Sequence, residues 1–400
     1  MATGTAKGLL SGLKVLELGQ GVSGPYCGKV LAQLGAEVIK VEPPEGDPAR
    51  MMGPFPDDEP HPEKSGLFLA LNMNKLGVTL DLHEEGGVEK LRQLAESSDV
   101  VIENLPQGYL DGLGLGYEAF KEENPGIIYT SITPFGSWGP YADYKLTDLV
   151  LFHMSGQAPG LLGPVEDTES DPPIRAGGHQ AEFVVGMAAA TATLPALYRR
   201  RMTGLGAHVE VSAYEAMVTQ LISGLANCAY GRPAPPRDVK QVKEATTGGI
   251  VTAVGGVLRC SDGYVAISPR EDAQWERWVE LMGGPDWASD ERFTTREGRE
   301  ANFPELWRLV EGWTTDHSKK DVARWGQERR IPCFPVNTVE DLFDDGHLRH
   351  RGFFIEQDHP VAGKLKYPGV PYRLSGADLP LATRPAPLLG EHNASVLEGL

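Results

Sequence analysis

The sequence predicts an α/β protein with a parallel, Rossmann-like sheet in a large domain and a smaller second domain. Two observations carry this prediction. Strand-like apolar runs alternate with helix-like segments in the first half of the chain, which is the pattern of βαβ units. Further along, a stretch rich in proline, glycine and charge interrupts the pattern, and a hairpin with tryptophan-rich helices follows it.

The first domain contains five strand-like runs. Segments whose apolar residues recur at helical spacing lie between these runs or follow them. The strands are KVLEL, EVIKVE, GVTLDL, DVVIEN and GIIYTSITPF. The helices are expected in Gly28–Leu34, in EEGGVEKLRQLAES, in Gly116–Glu123, in Gln180–Arg201 and in Ala213–Ala229. Short turns between these segments indicate a parallel sheet that is covered by helices.

The second half of the chain divides at Gly231–Gly249, which we interpret as a linker or loop. GGVLRCSDGYVAIS predicts a hairpin, tryptophan-rich helices follow from about Ala273 to Gln327, and IPCFPVNTVEDLFDD begins a third stretch. The expected boundaries are 1–225 for the large domain, 226–250 for the linker, 251–328 for the small domain and 329–400 for a C-terminal segment.

Composition excludes several classes of protein. With 400 residues, 41% hydrophobic and 23% charged, the chain is ordinary globular material. A net charge of −18 argues against nucleic acid or an anionic membrane as a partner, since both require clustered cations. The four cysteines are scattered without metal-ligand spacing, which predicts reduced thiols and no metal site. The N-terminus lacks a signal-peptide pattern, so we expect a cytoplasmic protein.

Gly19-Gln20-Gly21-Val22-Ser23-Gly24 matches the G-x-G-x-x-G pattern of dinucleotide-binding loops, and Glu42 follows at about the distance of a ribose-binding acid. Pro25 argues against this interpretation, because proline removes a backbone N–H from the start of the helix. The residues alone leave two alternatives: an NAD-binding loop or a tight strand-to-helix turn.

Several segments, in order along nearly the whole chain, resemble one enzyme family. They are LSGLKVLELGQGVSGPYC, LAQLGAEVIKVEPPEGDPAR, NKLGVTLDL, DVVIENLPQGYLDGLGLGYE, NPGIIYTSITPFGSWGPY, LYRRRMTGLGAHVEVSAYEA, RRIPCFPVNTVEDL and APLLGEHN. They are similar to the family III CoA-transferases, which include formyl-CoA and carnitine CoA-transferases and α-methylacyl-CoA racemases. The resemblance implies that the first loop belongs to a CoA-binding domain and that the small domain is inserted in the large one. It also implies an interlocked homodimer whose active site lies between two subunits.

Transferases of this family use an aspartate as nucleophile, and the matching position in PPIRAGGHQAEFVVGM is Glu182. A glutamate keeps the carboxylate but moves it by one methylene, so it suits a covalent carrier or a general base. The alternative is an ordinary acid at a helix start, which the helix dipole favours. His179 lies three positions before Glu182, where the two side chains share one helix face. His153 is the other histidine near the site in sequence, and each imidazole is alternatively an ordinary, partly buried histidine.

The racemase branch has a histidine before the aspartate that matches Asp148, but this chain has Thr147 there. A two-base racemase is therefore disfavoured, while Asp148 stays a candidate catalytic residue.

The CoA-binding positions that the resemblance implies depart from the family pattern. His83 and Gly112 stand where arginine or lysine is frequent, so we expect weaker capture of the CoA phosphates. Lys40, Arg50 and Lys75 are candidate replacements, each alternatively a surface residue. The implied cofactor-lining residues also include Val22, Ser23, Leu80, Asn104 and Leu105. A lid loop is expected in TTGGIVTAVGG, with Gly248, Gly249, Gly255 and Gly256, and a hairpin turn is the simpler alternative.

Three functions remain open at this point. The first is CoA transfer from an acyl-CoA to a small carboxylic acid with Glu182 as carrier, CoA being a substrate and no cofactor being tightly bound. The second is a lyase, hydratase or isomerase in which Glu182 moves a proton. The third is a catalytically silent binding protein.

Overall fold

The computed structural model describes residues 8–161, 171–232, 256–269, 271–398 and 400. The chain divides into two compact units. The first comprises Met1–Gly231 and Arg351–Leu400, and the second comprises Arg232–His350. The second unit is therefore inserted in the first.

The first unit is built on a six-stranded sheet in the order β3-β2-β1-β4-β5-β6, and all neighbouring strands are parallel. The strands are β1 Lys14–Glu17, β2 Glu37–Glu42, β3 Lys75–Thr79, β4 Val100–Glu103, β5 Ile128–Thr133 and β6 Ala207–Ser212. This order is the doubly wound arrangement of nucleotide-binding folds, with its switch point between β1 and β4. The predicted Rossmann-like parallel sheet is confirmed.

Helices lie on both faces of this sheet. They are α1 Ser23–Gln33, α2 Gly66–Asn72, α3 Glu85–Glu96, α4 Tyr109–Gly112, α5 Tyr117–Glu123, α6 Asp148–Met154, α7 Gln180–Thr203, α8 Ala213–Val218 and α9 Ile222–Ala229. One core joins α1, α6 and α7 to one face of the sheet, and a second core joins α3 and α5 to the other. The C-terminal part of the unit adds the antiparallel hairpin β10 Phe354–His359 and β11 Gly363–Pro368. The final helix, which we number α17, is Asn393–Leu397.

Helix α1 begins at Ser23, earlier than the expected start at Gly28. Pro25 is the third residue of the helix. The N–H groups of the first turn have no helical carbonyl oxygen four residues earlier to donate to, so the N–H that proline lacks costs no hydrogen bond. The glycines before it allow a close chain crossing, since a Cβ at Gly19 would lie 2.7 Å from the Cα of Gly24. The strand-to-helix turn is therefore tight for steric reasons.

The second unit contains a three-stranded antiparallel sheet in the order β7-β8-β9, with β7 Gly256–Cys260, β8 Gly263–Ile267 and β9 Cys333–Pro335. Its helices are α10 Asp272–Leu281, α11 Glu291–Thr294, α12 Arg296–Ala301, α13 Phe303–Thr314, α14 Lys319–Glu328, α15 Val339–Phe343 and α16 Gly346–His350. The core contains Trp275 and Trp278. Because β9 pairs with β8, this unit extends past the boundary that the sequence suggested at 328, and it ends at His350.

In the part of the chain that the structure describes, one helix has the length and hydropathy of a membrane span. It is α7, whose most apolar window has a mean hydropathy of 1.3. The helix packs against α1, β5 and β6 and shares their core. We therefore interpret α7 as a core helix of the parallel sheet.

Candidate active site

The N-termini of α6 and α7 bring together four side chains that can carry charge. Asp148 is the first residue of α6, and Thr147 caps that helix by accepting a hydrogen bond from the Val150 amide. Glu182 lies in the first turn of α7, where the positive end of the helix dipole favours an anion. His179 and Arg175 belong to the segment that leads into α7. The sequence therefore places two carboxylates, one imidazole and one guanidinium at a meeting point of two helices.

Glu182 and His179 form a direct pair. The imidazole Nδ1 lies 2.9 Å from Glu182 Oε2, and each side chain is 30% exposed. Burial raises the pKa of the Glu182 carboxyl, the His179 hydrogen bond and charge oppose this shift, and the Asp148 carboxylate adds to it. The predicted contact between His179 and Glu182 is therefore present, but His179 is the N-cap residue of α7 and lies just outside the helix, not on one of its faces. This contact leaves Glu182 a half-buried, basic carboxylate that still reaches solvent.

Asp148 connects the two helices through both of its oxygens. Its Oδ1 lies 3.4 Å from the Glu182 amide nitrogen and its Oδ2 accepts from Arg175 Nη1 at 2.9 Å. The Asp148 side chain is only 9% exposed, whereas that of Arg175 is 42% exposed. Asp148 thus links the backbone of Glu182 to the outward-facing guanidinium of Arg175. Sequence reasoning missed Arg175, although it lies in the quoted block before Glu182.

His153 does not contact this cluster through its ring. Its Nδ1 lies 2.9 Å from the Leu149 carbonyl oxygen and its Nε2 lies 3.1 Å from the Pro173 carbonyl oxygen. Both nitrogens therefore face main-chain acceptors, which suits a residue that ties α6 to the segment before α7. The catalytic role predicted for His153 has no support in this geometry.

Asp148, His179 and Glu182 are also the described side chains that come closest to a metal site, since one ligand atom from each lies within 4.8 Å of the others. Carboxylate and imidazole groups are ordinary ligands for divalent ions. Arg175 already neutralises Asp148 at this point. We assign no step to a metal, and the expectation that none is required stays a prediction.

A groove lies where strands β1 to β4 end, at the carboxyl edge at which doubly wound sheets bind ligands. We call it the strand-end groove. Its lining includes three of the predicted CoA positions, Leu80, His83 and Leu105, together with Gln20 and Tyr109. The residues lining the groove include no lysine or arginine. The lining also includes the acidic residues Glu42, Glu45 and Asp81, so the groove offers apolar and hydrogen-bonding surface but no lysine or arginine for a phosphate.

Two further predicted residues shape the first loop. Asn104 accepts a hydrogen bond from the Gln20 amide at 2.7 Å and donates to the Gln20 carbonyl and to Ser23 Oγ at 2.8 and 3.1 Å. Val22 is fully buried beneath the loop. Asn104 and Ser23 thus fix the loop beside the groove, and Val22 anchors it in the core.

The same loop cannot act as a dinucleotide-binding loop. The Gly21 amide donates to Asp47 Oδ1 at 2.9 Å, and the Gln20 amide is already bound to Asn104, so neither N–H is available to a pyrophosphate. Glu42, the candidate ribose acid, is buried and bound to Arg50. The two loop amides and the candidate ribose-binding acid are therefore already bonded to other groups of the protein.

The prediction that three cations replace the missing phosphate-binding residues must be corrected. Lys40, Arg50 and Lys75 are each buried to 1% exposure or less. A ligand in solvent does not reach side chains at that depth. The role assigned to them was wrong because their charges are taken up by carboxylates that lie elsewhere in the sequence.

These cations form a buried ion-pair network. Lys40 lies 2.7 Å from Asp47 and 3.4 Å from Glu17, and Lys75 lies 2.7 Å from Glu17. Gly28 of α1 is required above this network, because a Cβ there would overlap the Glu17 carboxylate. The network fixes β1, β2 and β3 beneath α1.

Arg50 is held in a similar way at the end of β2. Its Nε and Nη2 contact the two Glu42 oxygens at 2.7 and 2.8 Å, Nη1 contacts Glu63 at 2.7 Å, and its guanidinium stacks on the Phe68 ring. A fork-shaped pairing of this kind uses most of the donors of an arginine.

The predicted lid is only partly visible. Gly248, Gly249 and Gly255 lie outside the described residues. Gly256 is the first residue of β7, and the Trp307 ring occupies the space that a side chain would need. Gly256 is therefore a packed strand residue, which corrects its assignment to a loop.

A doubly wound parallel sheet with a groove at the carboxyl ends of its strands is the architecture at which α/β enzymes bind their ligands. The chain belongs to CoA-transferase family III, whose profile matches residues 10–393. It is an enzyme of the transferase class.

Similar proteins span the whole chain. The formyl-CoA:oxalate CoA-transferase of Streptomyces avermitilis is 32% identical over 98% of this chain and 95% of its own. The succinyl-CoA:(R)-benzylsuccinate CoA-transferase subunit BbsE of Thauera aromatica is 33% identical over 94% and 91%. The crystal structure of a CAIB/BAIF family protein from Brucella suis has a TM-score of 0.86 and 35% identity over 98% of this chain and 99% of its own. None of these similarities favours the lyase or isomerase alternative.

Proposed function

We propose that this enzyme transfers CoA from an acyl-CoA donor to a small carboxylic acid and that Glu182 carries the CoA between them. The observation that supports this most is the position of Glu182, which lies half-buried at a helix start beside His179, with its carboxylate open to solvent. A carboxylate in such a place is basic enough to attack a thioester and remains accessible to it.

The transfer proceeds in four balanced exchanges. The Glu182 carboxylate attacks the donor thioester, releases CoA thiolate and forms an acyl anhydride. The thiolate then attacks the Glu182 carbonyl, which releases the donor carboxylate and leaves a Glu182–CoA thioester. The acceptor carboxylate attacks this thioester and releases thiolate again. Attack of that thiolate on the acceptor carbonyl yields the new acyl-CoA and restores Glu182, with no net consumption of protons.

The surroundings of Glu182 serve this chemistry in three ways. The amide ends of α7 favour negative charge on an attacking or tetrahedral oxygen. His179 orients the carboxylate through its 2.9 Å contact. Gly186, one turn further along α7, lets that helix approach α1 closely, because a Cβ there would lie 2.6 Å from the Ser23 carbonyl oxygen. The carrier and the first loop are thereby held next to each other.

CoA enters this scheme as a substrate. We propose that its nucleotide end occupies the strand-end groove, which Leu80, His83 and Leu105 line, and that its thiol end extends past the first loop toward Glu182. The groove lacks lysine and arginine, so we expect the phosphates to contribute less to binding than the adenosine and pantetheine parts do.

We further propose that the enzyme is a cytoplasmic homodimer. Helix α9 is apolar, yet none of its residues is buried, and Ile222 and Tyr230 at its ends are 76% and 78% exposed. Tyr198 and Met202 on α7 are also mostly exposed. Exposed apolar side chains of this number favour a protein partner. Sedimentation analysis across a dilution series tests the dimer, and a monomer at micromolar concentration would contradict it.

Variants of Glu182 test the carrier role. We expect Glu182→Gln to abolish CoA transfer from any donor, because an amide does not attack the thioester, and Glu182→Asp to retain measurable transfer. Glu85→Gln, at an exposed first-turn position of α3, is the matched control and should behave as wild type. Undiminished transfer by Glu182→Gln would overturn the proposal.

A further inference from the structure

The cluster around Glu182 contains one permanent cation, Arg175, and that cation is only partly used. Its Nη1 donates to Asp148 at 2.9 Å, and in the described part of the chain this is the hydrogen bond that the side chain makes. A guanidinium carries five N–H donors in a planar fork. The side chain is 42% exposed, so the guanidinium is accessible to a ligand while it stays bound to Asp148.

Asp148 fixes the position of this cation. It is 9% exposed and binds Arg175 through one oxygen, while its other oxygen faces the Glu182 amide. The side chain of Arg175 is therefore tethered to the same backbone that carries the nucleophile. A tethered guanidinium loses less entropy on binding an anion than a free surface arginine does.

The distances suit a short molecule with two carboxylates. The ligand atoms of Asp148 and Glu182 lie within 4.8 Å of each other, and Arg175 lies 2.9 Å from Asp148. Because the two oxygens of a carboxylate are about 2 Å apart, Arg175 Nη1 lies within about 10 Å of a Glu182 carboxylate oxygen, a span that an acid of about four to six carbons bridges.

We infer that Arg175 binds the spectator carboxylate of a dicarboxylic acid acceptor while the other carboxylate attacks the Glu182–CoA thioester. This inference rests on the proposed function, because it names the acceptor class of that same site. Fork-to-fork pairing of guanidinium with carboxylate supplies both energy and orientation, and a monocarboxylic acid of the same length forgoes it. Arg175 is thus a residue that determines specificity.

A pair of acceptors of equal length tests this role. Glutarate and valerate each have five carbons and differ in the second carboxylate. Steady-state CoA transfer to each is measured with the best donor among acetyl-, butyryl- and succinyl-CoA, for wild type, Arg175→Gln and Arg175→Lys. The matched control is Arg324→Gln, which removes an exposed arginine paired with one aspartate in the other unit.

We expect wild type to prefer glutarate, and Arg175→Gln to lower kcat/KM for glutarate by about tenfold to a hundredfold through KM, the range for hydrogen bonds to a charged group. Transfer to valerate, which has no spectator carboxylate, should fall clearly less than transfer to glutarate, and Arg175→Lys should recover part of the glutarate-specific loss. An equal loss for both acceptors, or no preference in wild type, would overturn the inference. A wild-type enzyme that transfers CoA to neither acid and forms no thioester would instead refute the proposed function.

Discussion

Glu103, the last residue of β4, offers the sharpest test of the electrostatics beside the strand-end groove. Its side chain is 9% exposed, and one oxygen accepts the Leu105 amide at 2.9 Å. Burial raises its pKa from an ordinary value of 4.5 to about 7; the Leu105 hydrogen bond opposes this shift and the Asp111 carboxylate reinforces it. Ionising Glu103 in the native state is therefore costly, whereas ionising it in the unfolded chain is not.

The magnitude and sign follow from linkage. A carboxyl whose native pKa is raised gives stability that is fully present below its unfolded pKa and lost as pH rises through its native pKa. Here the loss runs between about pH 4.5 and pH 7. Each pKa unit corresponds to about 1.4 kcal/mol, so wild type loses on the order of 3 kcal/mol across this window. Glu103→Gln keeps an acceptor for Leu105 and has no charge to bury, so it avoids the loss.

Urea unfolding at fixed protein concentration, from pH 4.5 to pH 8, measures this effect. We expect Glu103→Gln to gain stability relative to wild type progressively with pH, by on the order of 3 kcal/mol at pH 8. Glu118→Gln, an exposed glutamate on α5, is the control and should track wild type at every pH. A difference between Glu103→Gln and wild type that stays constant with pH would refute the electrostatic explanation.

Two further predictions concern the buried ion pairs and the carrier. Lys75→Met should destabilise the protein by about 3 kcal/mol in chemical denaturation, because it leaves the buried Glu17 short of a partner, and adding Glu17→Gln should recover part of this loss; strictly additive losses would contradict the pairing. In pH–rate profiles the acid limb of kcat/KM should lie above pH 4.5, because Glu182 must be ionised to attack and its pKa is raised. His179→Ala should move the limb further upward, since His179 lowers that pKa, and an unchanged limb would argue against Glu182 as the titrating group.

Local patterns in the sequence were sufficient for the frame of the fold. The strands around Val15, Val38 and Val100 are apolar runs between turn residues, and each lies in the predicted place because period and turn chemistry are local properties. The earlier start of α1 shows the limit of this reasoning. The sequence predicts this helix only from Gly28, but Ser23, Gly24 and Pro25 form its first turn, where a proline costs no hydrogen bond.

Ion pairs between residues that are far apart in the sequence could not be predicted from the sequence. Lys75 meets Glu17 and Arg50 meets Glu63 only after the sheet and its loops have assembled, so a lysine or arginine near a ligand motif does not reveal whether it is already paired. The same limit hid Arg175, whose importance depends on Asp148 being brought beside it from another helix. The contact between Glu182 and His179 was predictable because the two residues lie three positions apart around the start of α7, where the side chain of the N-cap residue meets that of the first turn.

The most direct test of the account is to trap the carrier intermediate on Glu182. The enzyme is incubated with acetyl-, butyryl- or succinyl-CoA without acceptor, treated with borohydride or hydroxylamine, digested, and analysed by peptide mass spectrometry. The account predicts a reduced or hydroxamate form of the Glu182 side chain in wild type, none in Glu182→Gln, and loss of the adduct when an acceptor acid is added before trapping. An adduct on another residue, or turnover without any adduct at Glu182, would contradict the central claim.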